Sequence, residues 1–148
     1  MLTQPDFEDM LRLFEENSVE YLIVGGYAVA FHGYPRFTKD IDIFYRCAPD
    51  NIARMRRALF RFGFAENALP EHLFLTPGNI IKFGIEPVRV DLLNEIDGVS
   101  FEAIAPRGER GKYGAVETSF IGRDDLIANK LASGRAQDLA DLEKLKQE

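Results

Sequence analysis

Apolar residues recur at helical spacing near the start of the chain, where Phe7, Met10, Leu11 and Phe14 form one stripe. Thr3 followed by Pro5 and Asp6 reads as a helix start, and Asn17-Ser18 breaks the pattern. The spacing therefore predicts a first helix over about residues 5–17. Tyr21-Leu22-Ile23-Val24 is a short continuous apolar run of the kind found in a buried strand, and it stops at Gly25-Gly26. Residues 27–33, Ala-rich and apolar, predict a short helix behind that glycine turn, ended by Gly33 and Pro35. In DIDIFY, Asp40 and Asp42 alternate with Ile41 and Ile43, the period of a strand. A helix follows over 50–62, with Ile52, Met55, Leu59 and Phe62 inward and Gly63 at its end.

Further on, HLFL (72–75), NIIKFGI (79–85) and VRVDLL (88–93) read as strands, separated by turns at Pro77-Gly78 and Glu86-Pro87. Gly98 to Ala105 has the length of a short helix, and GERGKYGAVETSFI is weakly strand-like. The last 26 residues predict two helices split at Gly134. No repeat emerges, and no linker rich in Pro, Gly or Ser divides the chain. The expectation is one domain over 1–148, with a core at about 18–122 and C-terminal helices at about 123–147.

At 148 residues such a domain buries roughly 70% of the surface its unfolded chain exposes. The formal charge of -6 argues against nonspecific coating of nucleic acid, which relies on many cationic contacts to phosphate. A local basic face remains: Arg54, Arg57 and Arg61 share one side of helix 50–62, with Arg56 beside them, either as a solvated face or as an RNA contact. The single cysteine, Cys47, excludes an internal disulfide, and no Cys/His cluster has zinc-site spacing. Acidic residues Asp6, Glu8 and Asp9 stand where a signal peptide would be basic, and no apolar run approaches a membrane span. The expected location is the cytoplasm, with no membrane partner.

The chemistry concentrates between residues 24 and 44. Two strand residues at spacing two lie about 6.6 Å apart and leave the same face, so Asp40 and Asp42 repel unless a cation lies between them. Mg²⁺ suits such a pair, because it prefers oxygen ligands and is shared between carboxylates and substrate phosphates. Asp91, in the middle of VRVDLL, supplies a third carboxylate if that strand lies alongside. Three carboxylates could hold two ions roughly 3.5–4 Å apart, the requirement of two-metal nucleotidyl transfer. Gly25-Gly26, at a strand end opening a helix, exposes backbone N–H groups to an anion.

This order of features, a glycine pair, a helical interval, D-x-D and a later strand Asp, resembles the polymerase-beta-type nucleotidyltransferase superfamily. Gly25, Gly26, Asp40, Asp42 and Asp91 match it in turn, and the version GGYAVAFHGYPRFTKDIDIF is most similar to minimal bacterial members, including the nucleotidyltransferase-like toxins of type IV toxin-antitoxin systems. The resemblance covers roughly residues 20–145. It implies an α+β fold, a small mixed sheet flanked by helices with two C-terminal helices. It also implies transfer of a nucleoside monophosphate from an NTP to an acceptor, with pyrophosphate released. Asp40 and Asp42 would bind two Mg²⁺ ions, with Mn²⁺ able to substitute. Asp91 would complete the catalytic metal and help deprotonate the acceptor. Gly25 and Gly26 would hold the triphosphate; Tyr27 departs from the serine common at that position and would meet the nucleotide differently.

Arg36 and Lys39 flank the aspartates, where a cation near a triphosphate is reasonable, although Lys39 serves equally well as a surface charge. Thr38 is placed to fix the turn into the strand. In the C-terminal stretch Lys130, Arg135, Asp138 and Asp141 correspond to the subgroup's Lys, Arg and D-x-x-D, and the first three would contact or buttress the nucleotide. Capping and surface pairing explain the same residues as readily. The acceptor stays open between RNA, a partner protein and a small molecule. A second subunit of a homodimer, or an antitoxin partner, could complete the acceptor face. The alternative from another class is a nonenzymatic nucleotide-binding or interaction module of a toxin-antitoxin pair.

Overall fold

The computed structural model describes residues 4–34, 38–85 and 88–146. Six strands form one mixed sheet: β1 (Tyr21–Val24), β2 (Asp40–Tyr45), β3 (Ile80–Ile85), β4 (Val88–Leu93), β5 (Glu109–Tyr113) and β6 (Val116–Phe120), in the order β3-β4-β2-β1-β6-β5. The central pair β1·β2 is antiparallel, the flanking pairs β2·β4 and β1·β6 are parallel, and the outer pairs β3·β4 and β5·β6 are antiparallel. Seven α-helices accompany them among the described residues: α1 (Pro5–Glu16), α2 (Gly25–Phe31), α3 (Pro49–Phe62), α4 (Glu71–Leu75), α5 (Phe101–Ile104), α6 (Arg123–Ser133) and α7 (Ala136–Leu145). The fold is the mixed α+β arrangement expected.

Strand alternation divides the apolar side chains between two cores. One face of the sheet, through Tyr21, Ile23, Ile41, Ile43, Tyr45 and Leu92, packs on the buried stripes of α1 and α3. The other face, through Leu22, Val24 and Phe44, packs on Ala28 and Val29 of α2, Phe101 and Ile104 of α5, Leu126 of α6 and Leu145 of α7. Asp40, Asp42 and Phe44 share that second face by their spacing. Phe44 is covered by Phe101, their rings 5.3 Å apart, so the helices close over one end of β2 and leave the aspartates at the other.

Three local readings change. HLFL is helical, not a strand, because Phe74 is its one fully buried side chain and Pro70 begins a turn rather than an extended edge. The carbonyl of Phe74 at that helix's end accepts bonds from Tyr45 Oη at 2.8 Å and Asn94 Nδ2 at 3.1 Å, so no ladder partner is needed. The glycine pair forms the first turn of α2 rather than preceding it. GERGKYGAVETSFI resolves into the hairpin β5–β6.

Candidate active site

The sheet register aligns the three carboxylates. In the parallel β2·β4 pairing Asp42 stands directly across from Asp91, and Asp40 across from Arg89. On either side the same cross-sheet line continues, with Lys82 of β3 opposite Asp91 and Val24 of β1 opposite Asp42. Directly opposed residues share a face, so Lys82, Asp91, Asp42 and the β1 terminus form one line across four strands.

Gly25 ends that line, and only glycine fits there. Its φ is +68°, and a Cβ added to it would lie 2.2 Å from Oδ2 of Asp42. Both the left-handed backbone and the missing side chain are needed for β1 to turn into α2 against the carboxylate. Thr38 Oγ1 donates to the carbonyl of Asp40 at 3.1 Å, fixing the entry to β2 as its type and position predicted.

Burial and like charge together set the electrostatics. Burial, then the charges of Asp91 and Asp40, push the carboxyl of Asp42 up to about 7, against the opposing pull of Lys130 and Lys82. Among the described residues, one oxygen each of Asp40 and Asp91, Oδ1 in both, is buried without a hydrogen-bond partner. Such a group costs free energy unless something neutralises it. All-oxygen donors, partnerless buried lone pairs and a carboxyl raised by its neighbours fit a hard divalent cation. Among the described residues, however, no three carboxylate, imidazole or thiolate groups stand close enough to enclose an ion. The aspartates are a row rather than a cage, as suits Mg²⁺ that keeps waters and takes further ligands from phosphate.

The C-terminal helices bring a second charged cluster beside the row. Lys130 Nζ, only 6% exposed, lies 2.9 Å from Asp138 Oδ1 and 3.2 Å from Asp141 Oδ2, both carboxylates being buried. Asp138 also accepts from Ser133 Oγ at 2.6 Å and Arg135 Nε at 2.7 Å. Burial would raise the Asp138 carboxyl, but these three hydrogen bonds outweigh it and hold the group well below the usual carboxylate range. Lys130 acts on the charge of Asp42, and Asp42 in turn on Arg135, so the cluster and the row share one electrostatic field. Arg135 is anchored at Nε while its side chain is 79% exposed, leaving the rest of the guanidinium toward solvent.

Not every residue singled out in the sequence reaches the row. Tyr27 is a correction: its side chain is buried in the opposite core, its ring centroid 6.0 Å from that of Phe7 and 5.4 Å from that of Tyr113. The phenol packs against Phe7 of α1 and Tyr113 of β5, so Tyr27 has only its backbone to offer a phosphate. Arg36 lies outside the described residues. Lys39 is exposed next to Asp40. The arginines of α3 are turned to structure: Arg54 bonds the carbonyl of Ser18 at 3.0 Å and Glu20 at 3.1 Å, Arg61 lies 3.5 Å from Glu16, and Arg56 bonds the carbonyl of Leu69 at 2.9 Å. A cavity of about 250 Å³ lined by Arg57, Phe60 and Phe64 lies on that helix, away from the carboxylates.

Two residues went unread. Lys82 was signalled only by being a lone cation within the apolar run NIIKFGI. Ser133, just before the helix break, carries no local signature that distinguishes it from a capping serine.

The whole of this arrangement falls within a match to a protein family described as nucleotidyl transferase of unknown function (DUF2204), over residues 3–148. The fold is similar to the crystal structure of a candidate nucleotidyltransferase (TM1012) from Thermotoga maritima, with a TM-score of 0.63, 12% sequence identity, and coverage of 97% of this chain and 94% of that one. No curated protein matches the chain in sequence.

Proposed function

The chain belongs to a nucleotidyl transferase family of unknown function, and we propose on that footing that it moves a nucleoside monophosphate from an NTP to an acceptor hydroxyl at Asp40, Asp42 and Asp91. The observation that carries this reading is the in-register pair Asp42–Asp91, with partnerless buried oxygens on Asp40 and Asp91 and Gly25 pressed against Asp42. Mg²⁺, as two ions with Mn²⁺ able to substitute, would supply charge neutralisation of the triphosphate and of the developing alkoxide.

The chain's own groups have separable tasks. Backbone amides of Gly25 and Gly26 would donate to phosphate oxygens, brought close by the absent Gly25 side chain. The exposed part of the Arg135 guanidinium would donate to the same phosphates. Lys130 has both carboxylate partners already, so it would hold the cluster and temper the charge of Asp42 rather than grip the nucleotide. Asp138 would aim Arg135. Lys39 and Arg36 would add positive charge at the entry to β2. The acceptor oxygen bonds the α-phosphorus as the bond from that phosphorus to the bridging oxygen breaks. Pyrophosphate leaves with the electron pair, and the acceptor's proton passes toward Asp91.

The acceptor would be RNA, a protein or a small molecule, with its remaining surface supplied by a second copy of the chain or a partner. Use as the toxin of a toxin-antitoxin pair is part of the proposal, and growth arrest on expression would test it. The direct experiment incubates the protein with Mg²⁺, each α-labelled NTP and cell extract, following pyrophosphate and labelled product. Failure both to turn over and to bind any NTP sinks the reading. A nonenzymatic nucleotide-binding or interaction module draws support from the open row and from Lys82 sitting on Asp91 at 3.3 Å. Asp40→Ala with Asp42→Ala decides between them: catalysis predicts lost labelling with retained fold, and a scaffold predicts unchanged function.

A further inference from the structure

Two lysines lend their charge to Asp42, and they are held very differently. Lys130 is 6% exposed and clamped by Asp138 and Asp141, so leaving would abandon two buried carboxylates. Lys82 projects from β3, at the edge of the sheet, with a side chain 53% exposed. Among the described residues its ammonium pairs with Oδ2 of Asp91 alone, at 3.3 Å, while Oδ1 of the same carboxylate has no partner. Although Asp91 is only 14% exposed, the lysine end of the pair is solvated, and its long stem lets the ammonium swing into water.

We propose that Lys82 is a positioning residue that occupies Asp91 as a built-in monovalent cation and is displaced when a divalent cation binds the row. The inference rests on the proposed metal site. Its physical basis is competition: an ammonium and a divalent ion cannot share one carboxylate edge without repulsion, and only one of them is tethered weakly enough to move. Asp91 stands in register between the two, with Lys82 across β3·β4 and Asp42 across β2·β4, so the lysine and a cation on the row meet at the same carboxylate. Once released, the ammonium lies on the side of the row opposite Gly25, the side left for an acceptor.

The test titrates Mn²⁺ against the full-length wild-type protein, Lys82→Met and Lys82→Arg at low salt, with free Mn²⁺ read by electron paramagnetic resonance. Loss of a competing charge at an exposed pair predicts two- to fivefold tighter binding by Lys82→Met. Lys82→Arg, which keeps the charge, should bind as the wild type does. In parallel, the Lys82 ammonium resonance in ¹⁵N-labelled protein, assigned by its loss in Lys82→Arg, should shift on Mg²⁺ addition. Equal or weaker Mn²⁺ binding by Lys82→Met, beside a wild type that binds, overturns the displacement while leaving the metal site standing. No binding by any of the three overturns both.

Discussion

Replacing Asp42 by asparagine should make the protein more stable while removing its proposed chemistry. The carboxyl titrates near 7 in the fold against about 3.9 in an unfolded chain. Its folded pKa is raised, so its contribution favours the fold below about pH 4 and is lost as pH rises through 7. At about 1.4 kcal/mol per unit, the charged form costs roughly 4 kcal/mol by pH 8 and roughly 1.5 kcal/mol at pH 5. Asp42→Asn keeps the shape and removes the titration. The stability gap between variant and wild type should therefore widen by about 2–3 kcal/mol from pH 5 to pH 8, about 5–10 °C in Tm for a chain of this size. Urea and thermal unfolding by circular dichroism, in chelator, measure it. Added Mg²⁺ should narrow the gap at pH 8 by binding the wild-type row. A gap that stays constant between the two pH values refutes the claim that burial of Asp42, together with its crowding by Asp91 and Asp40, is stored in the fold.

Gly25→Ala should cost about 1–3 kcal/mol, from the strained backbone and a Cβ driven into Asp42, and should abolish Mn²⁺ binding if the carboxylate is pushed aside. Denaturant titration and the Mn²⁺ assay together check it. Asp138→Ala strips Lys130 of its closest partner and should destabilise by about 3–5 kcal/mol in denaturant titration. Tyr27→Phe keeps the ring packed against Phe7 and Tyr113 and should leave NTP affinity by calorimetry unchanged. A large loss of affinity there would return Tyr27 to the nucleotide site.

The amino-acid order alone was enough to find the carboxylates and the glycines, because both properties are local. Alternation in DIDIFY puts Asp40 and Asp42 on one face of a strand whatever that strand pairs with, and a glycine pair after YLIV marks a backbone that must bend. The charge of the C-terminal segment was legible in the same way. Its depth was not: capping and surface pairing fit Asp138 and Asp141 as readily as a nucleotide contact, and the packing of α7 on α6, with Lys130 between the two carboxylates, is what buries them. Tyr27 was misplaced for the converse reason, since a residue beside the glycines in sequence points to the opposite core, where it packs against Phe7 of α1 and Tyr113 of β5. HLFL failed as a strand because its partners, Tyr45 and Asn94, are distant in sequence and bond its backbone from the side. The pairing of Asp91 with Asp42, and of Lys82 with Asp91, belongs to the register of three strands. Strand spacing sets which face a side chain leaves, but a shift of register changes every neighbour it meets, and that choice is made by the whole sheet as it packs.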